Sequence, residues 1–294
     1  MSPPPPPPPP KKQKKSKKRA QTSESSSSES DSEIIPIDFE FFDPQPQDFH
    51  GIKTLLRQLF DADSPLLDLS SLTDTIISQS LLGTTVKVDG RDGDPFFFLT
   101  VLNLRLCGEV EGVKGLVGYV RSVTESTGLG GVLAPLLSGG DEVNVAVVLS
   151  ERLINMPADI SPPAYRMLLE EIQAAVEDNE PYNFTHYLLL SKSYKEIEST
   201  LPPTSPELPA QKRLKPTKKS KKEKKREEGK IFDFHPEDAT FQKHSIDGMV
   251  YAYKNEPPPE MADSKRAFQE VGVVACGRVM LMSKEGFERA VGEL

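Results

Sequence analysis

The sequence predicts an α/β (α+β) fold, a single domain with a mixed central sheet flanked by helices. Two observations predict it. Apolar runs of strand length alternate along the chain with amphipathic stretches of helix length, and no internal repeat interrupts them. The expected inventory is about six or seven strands with roughly three to five helices.

Asp38, Phe39, Glu40, Phe41, Phe42 and Asp43 alternate acid and ring. They read as an edge strand with Phe39 and Phe41 inward, or as a surface offering Asp38, Glu40 and Asp43 to a partner. Ile52, Leu55, Leu56, Leu59 and Phe60 share one helical face, with Asp48 placed as N-cap. Asp68 is placed to cap a second helix through Leu69, Leu72, Ile76 and Ile77. TTVKVDG (Thr84–Gly90) alternates and PFFFLTVLNLRLC (Pro95–Cys107) is nearly all apolar. The pair reads as a hairpin turning near Asp89–Asp94, its second strand central.

Val113–Val123 reads as a helix weakened by Gly115 and Gly118. VNVAVVLSERL (Val143–Leu153) reads as a buried strand, and the helix after Ser161 starts on Pro162. Its inner face carries Tyr165, Leu168, Leu169, Ile172 and Val176. Phe184–Tyr194, Lys230–Phe234, Met249–Tyr253 and Val271–Met282 read as further strands, and Ser283 caps a closing helix through Phe287 and Val291.

Residues 1–33 and 200–229 do not share this pattern. Pro3–Pro10 is a polyproline II spacer or ligand, and KKQKKSKKR (Lys11–Arg19) follows it. In the serine-rich segment an acid stands three residues after Ser26, Ser28 and Ser30, the spacing read by acidophilic kinases such as casein kinase 2. Phosphorylation there adds about −1.5 to −2 per site beside the basic run. The segment 200–229 reads as a disordered basic insertion on the surface of a domain spanning 34–294. Exposed lysine clusters suit importin grooves. They make Lys11, Lys12, Lys14, Lys15, Lys17, Lys18 and Arg19 one candidate import signal. Lys218, Lys219, Lys221, Lys222, Lys224, Lys225 and Arg226 make the other. Entry into the nucleus is expected.

The net charge of −8 conceals an asymmetry. Of the 36 Lys and Arg, 7 lie in Lys11–Arg19 and 10 in Lys212–Arg226, whereas only Glu24, Glu29, Asp31, Glu33, Glu207, Glu223, Glu227 and Glu228 of the 44 acids lie in residues 1–33 and 200–229. The remainder carries about −17. Such a body repels nucleic acid and attracts basic partners, an attraction that salt weakens. Cys107 and Cys276, both in strand-like apolar runs, form no disulfide framework or zinc motif and fit a reducing compartment. No stretch reaches the ~18 apolar residues of a membrane span, and no secretory leader is expected.

Little chemistry is written in local motifs. STGLGG (Ser126–Gly131) comes close to the Q/R-x-x-G-x-G/A loop that holds the acetyl-CoA pyrophosphate in GCN5-type acetyltransferases. Here Glu125 takes the Gln/Arg position and would repel phosphate, so a flexible glycine loop is the expected reading. His50, His186, His235 and His244 share no metal spacing, and no H-E-x-x-H, C-x-x-C or G-x-S-x-G occurs. Neither a catalytic set, a cofactor nor a metal is expected.

IDFEFFDPQPQDFHGIKTLLRQLF (Ile37–Phe60) resembles the opening of the BCCIP/BCP family. That family combines a [V/I]-D-F-E-[F/A]-[F/Y]-D-P block with a D-F-H-G-[I/V]-K-x-L-L-x-Q-L helix. Asp38, Phe39, Glu40, Phe42, Asp43 and Pro44 match the first. Asp48, Phe49, His50, Gly51, Lys53, Leu55, Leu56, Gln58 and Leu59 match the second. Asp68–Gln79, Ser150–Ile172 and the serine- and lysine-rich segments extend the likeness over residues 34–294. The resemblance implies a fold similar to GCN5-type acetyltransferases without a working cofactor site. It also implies a non-enzymatic nuclear chaperone or adaptor of a basic large-subunit ribosomal protein, the L-twenty-three type in fungal naming. Fungal members are linked to export of a phosphatidylinositol-phosphate kinase. Animal members bind a breast-cancer-susceptibility protein and a cyclin-dependent-kinase inhibitor. A cell-cycle or DNA-repair scaffold, or a cryptic acetyltransferase, are the alternatives.

Overall fold

A computed structural model describes residues 38–79, 82–88, 90–138, 143–197, 230–255 and 272–294. The serines at 26, 28 and 30, both lysine runs, the insertion at 200–229 and Asp89 lie outside them. The strands are β1 (Glu40–Phe42), β2 (Thr84–Lys87), β3 (Phe97–Asn103), β4 (Val145–Arg152), β5 (His186–Glu196), β6 (Ile231–Asp233), β7 (Asp247–Tyr251) and β8 (Val273–Ser283). The helices are α1 (Phe49–Phe60), α2 (Leu69–Ser78), α3 (Leu104–Cys107), α4 (Glu111–Thr124), α5 (Gly128–Leu137), α6 (Ser161–Glu177), α7 (Asp238–His244) and α8 (Lys284–Glu293).

All eight strands join one sheet, in the order β1-β2-β3-β4-β5-β8-β7, with β6 paired to β5. Every pair is antiparallel except β4–β5, which runs parallel from Val145↔His186 to Leu149↔Leu190. The strand periodicity builds three layers. Phe98, Val147, Leu149, Leu188, Leu190 and Leu281 face a core shared with α1, α2, α4 and α5. Their neighbours Phe97, Leu99, Ala146, Val148, Leu189 and Met280 face a second core under α6, α7 and α8. Strands covered on both faces read as continuous apolar runs, which is why β3 carries no alternation.

Most local expectations hold. The α1 face from Ile52 to Phe60 is buried, Asp68 accepts from Ser70 and Ser71 N–H at the start of α2, and Ser283 caps α8 through Gly286 N–H. Gly115 and Gly118 sit on the exposed side of α4 without breaking it. Gly51 has a packing reason, because a Cβ there would collide with the ring of Pro95.

Three expectations are corrected. Asp48 stands at the N-terminus of α1 without capping it; it is buried, accepts from Gln45 N–H and takes Lys87 Nζ at 2.6 Å. The long run through Cys107 is not all strand. At Asn103 the side chain accepts from Arg105 N–H and turns the chain into α3, so Cys107 lies half-buried on a helix. The strand at Met249–Tyr253 runs from Asp247 to Tyr251 and ends where Lys254 and Asn255 N–H turn to the buried carboxylate of Asp63.

Candidate functional site

Two groups of charged side chains stand out, and the fold treats them in opposite ways. The first is built where the parallel strands part. Beyond Leu149 and Leu190 the pairing of β4 with β5 stops. There β5 pairs β6 instead, Ser193↔Asp233 to Lys195↔Ile231, while β8 holds its other side throughout. The chain's own β6 therefore enters the crevice at the carboxyl ends of the parallel pair, the place where open α/β sheets bind ligands.

Buried charges line this seam. Arg152 Nη1 lies 2.5 Å from Glu237 Oε1, with Nη2 3.2 Å from Oε2, and it also donates to Ser161 Oγ at 2.7 Å. Lys192 Nζ meets Glu151 Oε2 at 2.6 Å and lies 3.9 Å from the centre of the Phe234 ring. His235 Nε2 stands 3.3 Å from Glu151 Oε1. Arg278 joins Asp233 at 2.5 Å and Ser193 Oγ at 2.7 Å, and Ser191 Oγ donates to Asp238 at 2.5 Å.

Burial and pairing pull the carboxyls apart. In Glu151 burial pushes the pKa up, but His235 and Lys192 outweigh it and hold the group below the usual range. Glu237 goes the same way, with Arg152 overcoming burial. Asp238 does not: burial pushes it up to about 7, and Glu237 beside it adds to the rise. Burial likewise lowers Lys192, against the pull of Glu151. A hollow of about 10 Å³ here is lined by Ser150, Tyr165, Ser191, His235, Glu237 and Asp238, room for about one water. No substrate fits, and His235 stands against Glu151, not Ser191.

The second group is the predicted set of partner-binding acids. Asp38 precedes β1, Glu40 opens it and Asp43 follows it, all three exposed. Phe39 and Phe41 lean on the α6 core, as expected of an edge strand. Glu40 lies opposite Lys87, but that lysine is fully buried, held by Asp48 and the Arg91 carbonyl. Glu171 of α6 lies near enough to feel the charges of Asp43 and of its neighbour Glu170. Burial pushes the Glu171 carboxyl up against the pull of the Gly83 N–H it accepts, and the like charges of Asp43 and Glu170 push the same way.

The glycine segment Ser126–Gly131 is no flexible loop. Gly128 opens α5 under a Thr127 cap, and a Cβ on Gly130 would collide with the Thr124 carbonyl at the end of α4. His50 is exposed in the first turn of α1, His186 opens β5, and His244 pairs with Glu293 at 3.0 Å. No group of three or more metal-ligating side chains occurs among the described residues, nor does a helix long and apolar enough to cross a membrane. Glu151, Arg152, Lys192, His235 and Glu237 escaped sequence reading. The one signal was that β4 and β5 each end an apolar run on serine followed by charge, SER and SKS.

The class defined by this fold is a single mixed α/β domain with one parallel strand pair, its crevice filled by its own chain. The BCCIP family model matches residues 34–241. Protein bcp1 of Emericella nidulans is 46% identical over 266 residues, covering 90% of this chain and 89% of its own. Protein bcp1 of Schizosaccharomyces pombe is 43% identical, covering 90% of each chain. The crystal structure of BCP1 from Saccharomyces cerevisiae superimposes with a TM-score of 0.60 at 26% identity, over 91% of both chains. This chain belongs to the BCCIP family.

Proposed function

We propose that this chain is a non-enzymatic nuclear chaperone-adaptor for a basic protein of the large ribosomal subunit, supporting subunit biogenesis and nuclear export. The observation that carries the reading is the division of charge: a body of about −17 against two strongly basic segments. An unassembled ribosomal protein is basic and binds RNA non-specifically. An acidic surface competes for that charge until delivery, while the lysine runs engage import factors. Partners of the same kind as the relatives' phosphatidylinositol-phosphate kinase are reached through the same adaptor role.

The acetyltransferase likeness belongs to this reading too. A lone parallel pair in an antiparallel sheet and a crevice filled by β6 support descent from a cofactor-binding sheet whose site has closed. Calorimetric titration with acetyl-CoA is expected to give no heat and no thermal stabilisation; either signal would revive the enzymatic alternative. The function itself is tested by capturing the natively expressed protein. A basic large-subunit ribosomal protein should co-purify at low salt and be released as ionic strength passes about 0.15 M, where the Debye length is ~8 Å. Capture indifferent to salt and to charge reversal over the body would overturn the electrostatic account.

A further inference from the structure

Among the described residues three strands have a strand partner on one side only, β1, β7 and the short β6, whose one acid, Asp233, is joined to Arg278. A terminal strand leaves one row of backbone N–H and C=O groups without a strand partner, a template for an extended peptide. At β7 the single acid, Asp247, is occupied by the N–H of Gly248 at 2.8 Å. At β1 the side away from β2 has no strand among the described residues. Asp38, Glu40 and Asp43 are exposed along it, and among the described residues none is ion-paired. The one cation opposite, Lys87, is turned inward and spent on Asp48.

The rings between these acids are half-buried: Phe39, Phe41 and Phe42 each keep part of their surface open. Side chains of an added strand would point alternately to the two faces of the sheet. On one face they would meet Phe39, Phe41 and the cluster of Asp43, Glu170 and Glu171. On the other they would meet Glu40 and Phe42. Charged edges also keep sheets from pairing with copies of themselves. An acidic edge does both at once, repelling a second copy of this chain and attracting a basic strand.

We propose that β1 is a docking edge that takes a basic extended segment of a partner protein as an added strand, with Asp38, Glu40, Asp43, Glu170 and Glu171 receiving its lysines and arginines. The proposal rests on the reading of a basic client and adds where, and in what conformation, that client is held. With only three residues in β1 the backbone contribution is small, so affinity is dominated by charge.

The test uses the full chain and a short synthetic peptide alternating lysine with valine, its glutamate–valine counterpart serving as control. Only the lysine peptide should bind. D38K/E40K/D43K should slow association about tenfold or more, whereas E125K/E196K/E288K, three exposed acids elsewhere, should leave it unchanged. Hydrogen exchange of the amides at Glu40–Phe42 should slow on binding. Equal loss in both variants, or no protection of those amides, overturns the docking edge. The functional reading fails separately: it falls if the wild-type chain captures no basic ribosomal protein, even when the peptide docks at β1.

Discussion

The seam between β4 and β5 and the edge at β1 use the same side-chain types under opposite conditions. In the seam Glu151, Glu237, Arg152, Lys192 and Arg278 are buried, each within ion-pair distance of an opposite charge. At the edge Asp38, Glu40 and Asp43 face water without an ion-pair partner among the described residues. Burying a charge costs several kcal/mol unless a partner offsets it, so seam charges are locked to their positions and one another. Exposed charges cost little and do little for the fold. They stay free to act at a distance. Buried ion pairs are tied to this molecule's shape, whereas the unpaired charges at β1 are the ones we propose to act on a partner.

The seam should break first and hardest. Glu237→Ala strands Arg152 in a dry site and is expected to cost about 3–5 kcal/mol, read by urea denaturation. Arg152→Met with Glu237→Leu should recover most of it, since removing both charges removes the desolvation cost. A double variant as unstable as the single would show that the pair does more than neutralise itself.

Asp238 gives the next effect, and its sign differs from that of its neighbours. Its folded pKa of about 7 lies above the ordinary carboxylate value. The stability it contributes is therefore full below about pH 4 and is lost as pH rises toward 7, at no more than about 1.4 kcal/mol per pH unit. Glu151 and Glu237, held below the usual range, act the other way and lose their contribution as pH falls through their folded values. Asp238→Asn should remove the decline between pH 4 and 7 and leave the acid limb intact. A profile unchanged in that window would place the titration elsewhere.

What was legible in the sequence follows the same division. The apolar face of α1 and the caps of α2 and α8 are set by residues within a turn or two of one another, so spacing alone reveals them. The exposure of Asp38 and Glu40 was legible because alternation sets them opposite Phe39 and Phe41, whereas Asp43 is exposed because it lies past the end of β1. The seam was not. Glu151 meets Lys192 and His235, and Arg152 meets Glu237 85 residues away; a lysine or arginine ending an apolar strand reads as its solvated tip. Asp48 was misread for the same reason. As an acid before a helix it is a local cap signal, but its partner Lys87 lies 39 residues on.

The smallest expected effect on stability is the sharpest test of the contrast. Reversing Asp38, Glu40 and Asp43 removes no ion pair seen among the described residues and no hydrogen bond to any of their carboxylates. The backbone carbonyl of Asp43, which accepts from Gln45 Nε2, and the pairing of Glu40 with Lys87 in the β1–β2 ladder are main-chain features that the substitutions leave in place. Surface changes of this kind fall within about 0.5 kcal/mol. Relief of repulsion with Glu170 and Glu171 gives the triple lysine variant a slight gain, and the Glu171 carboxyl should titrate lower once Asp43 is gone. A stable chain that no longer captures a basic partner would separate binding from folding at β1. A loss of 2 kcal/mol or more in urea, beyond what about 0.5 kcal/mol of surface scatter allows, would mean that these acids hold the edge together and that the contrast with the seam is one of degree.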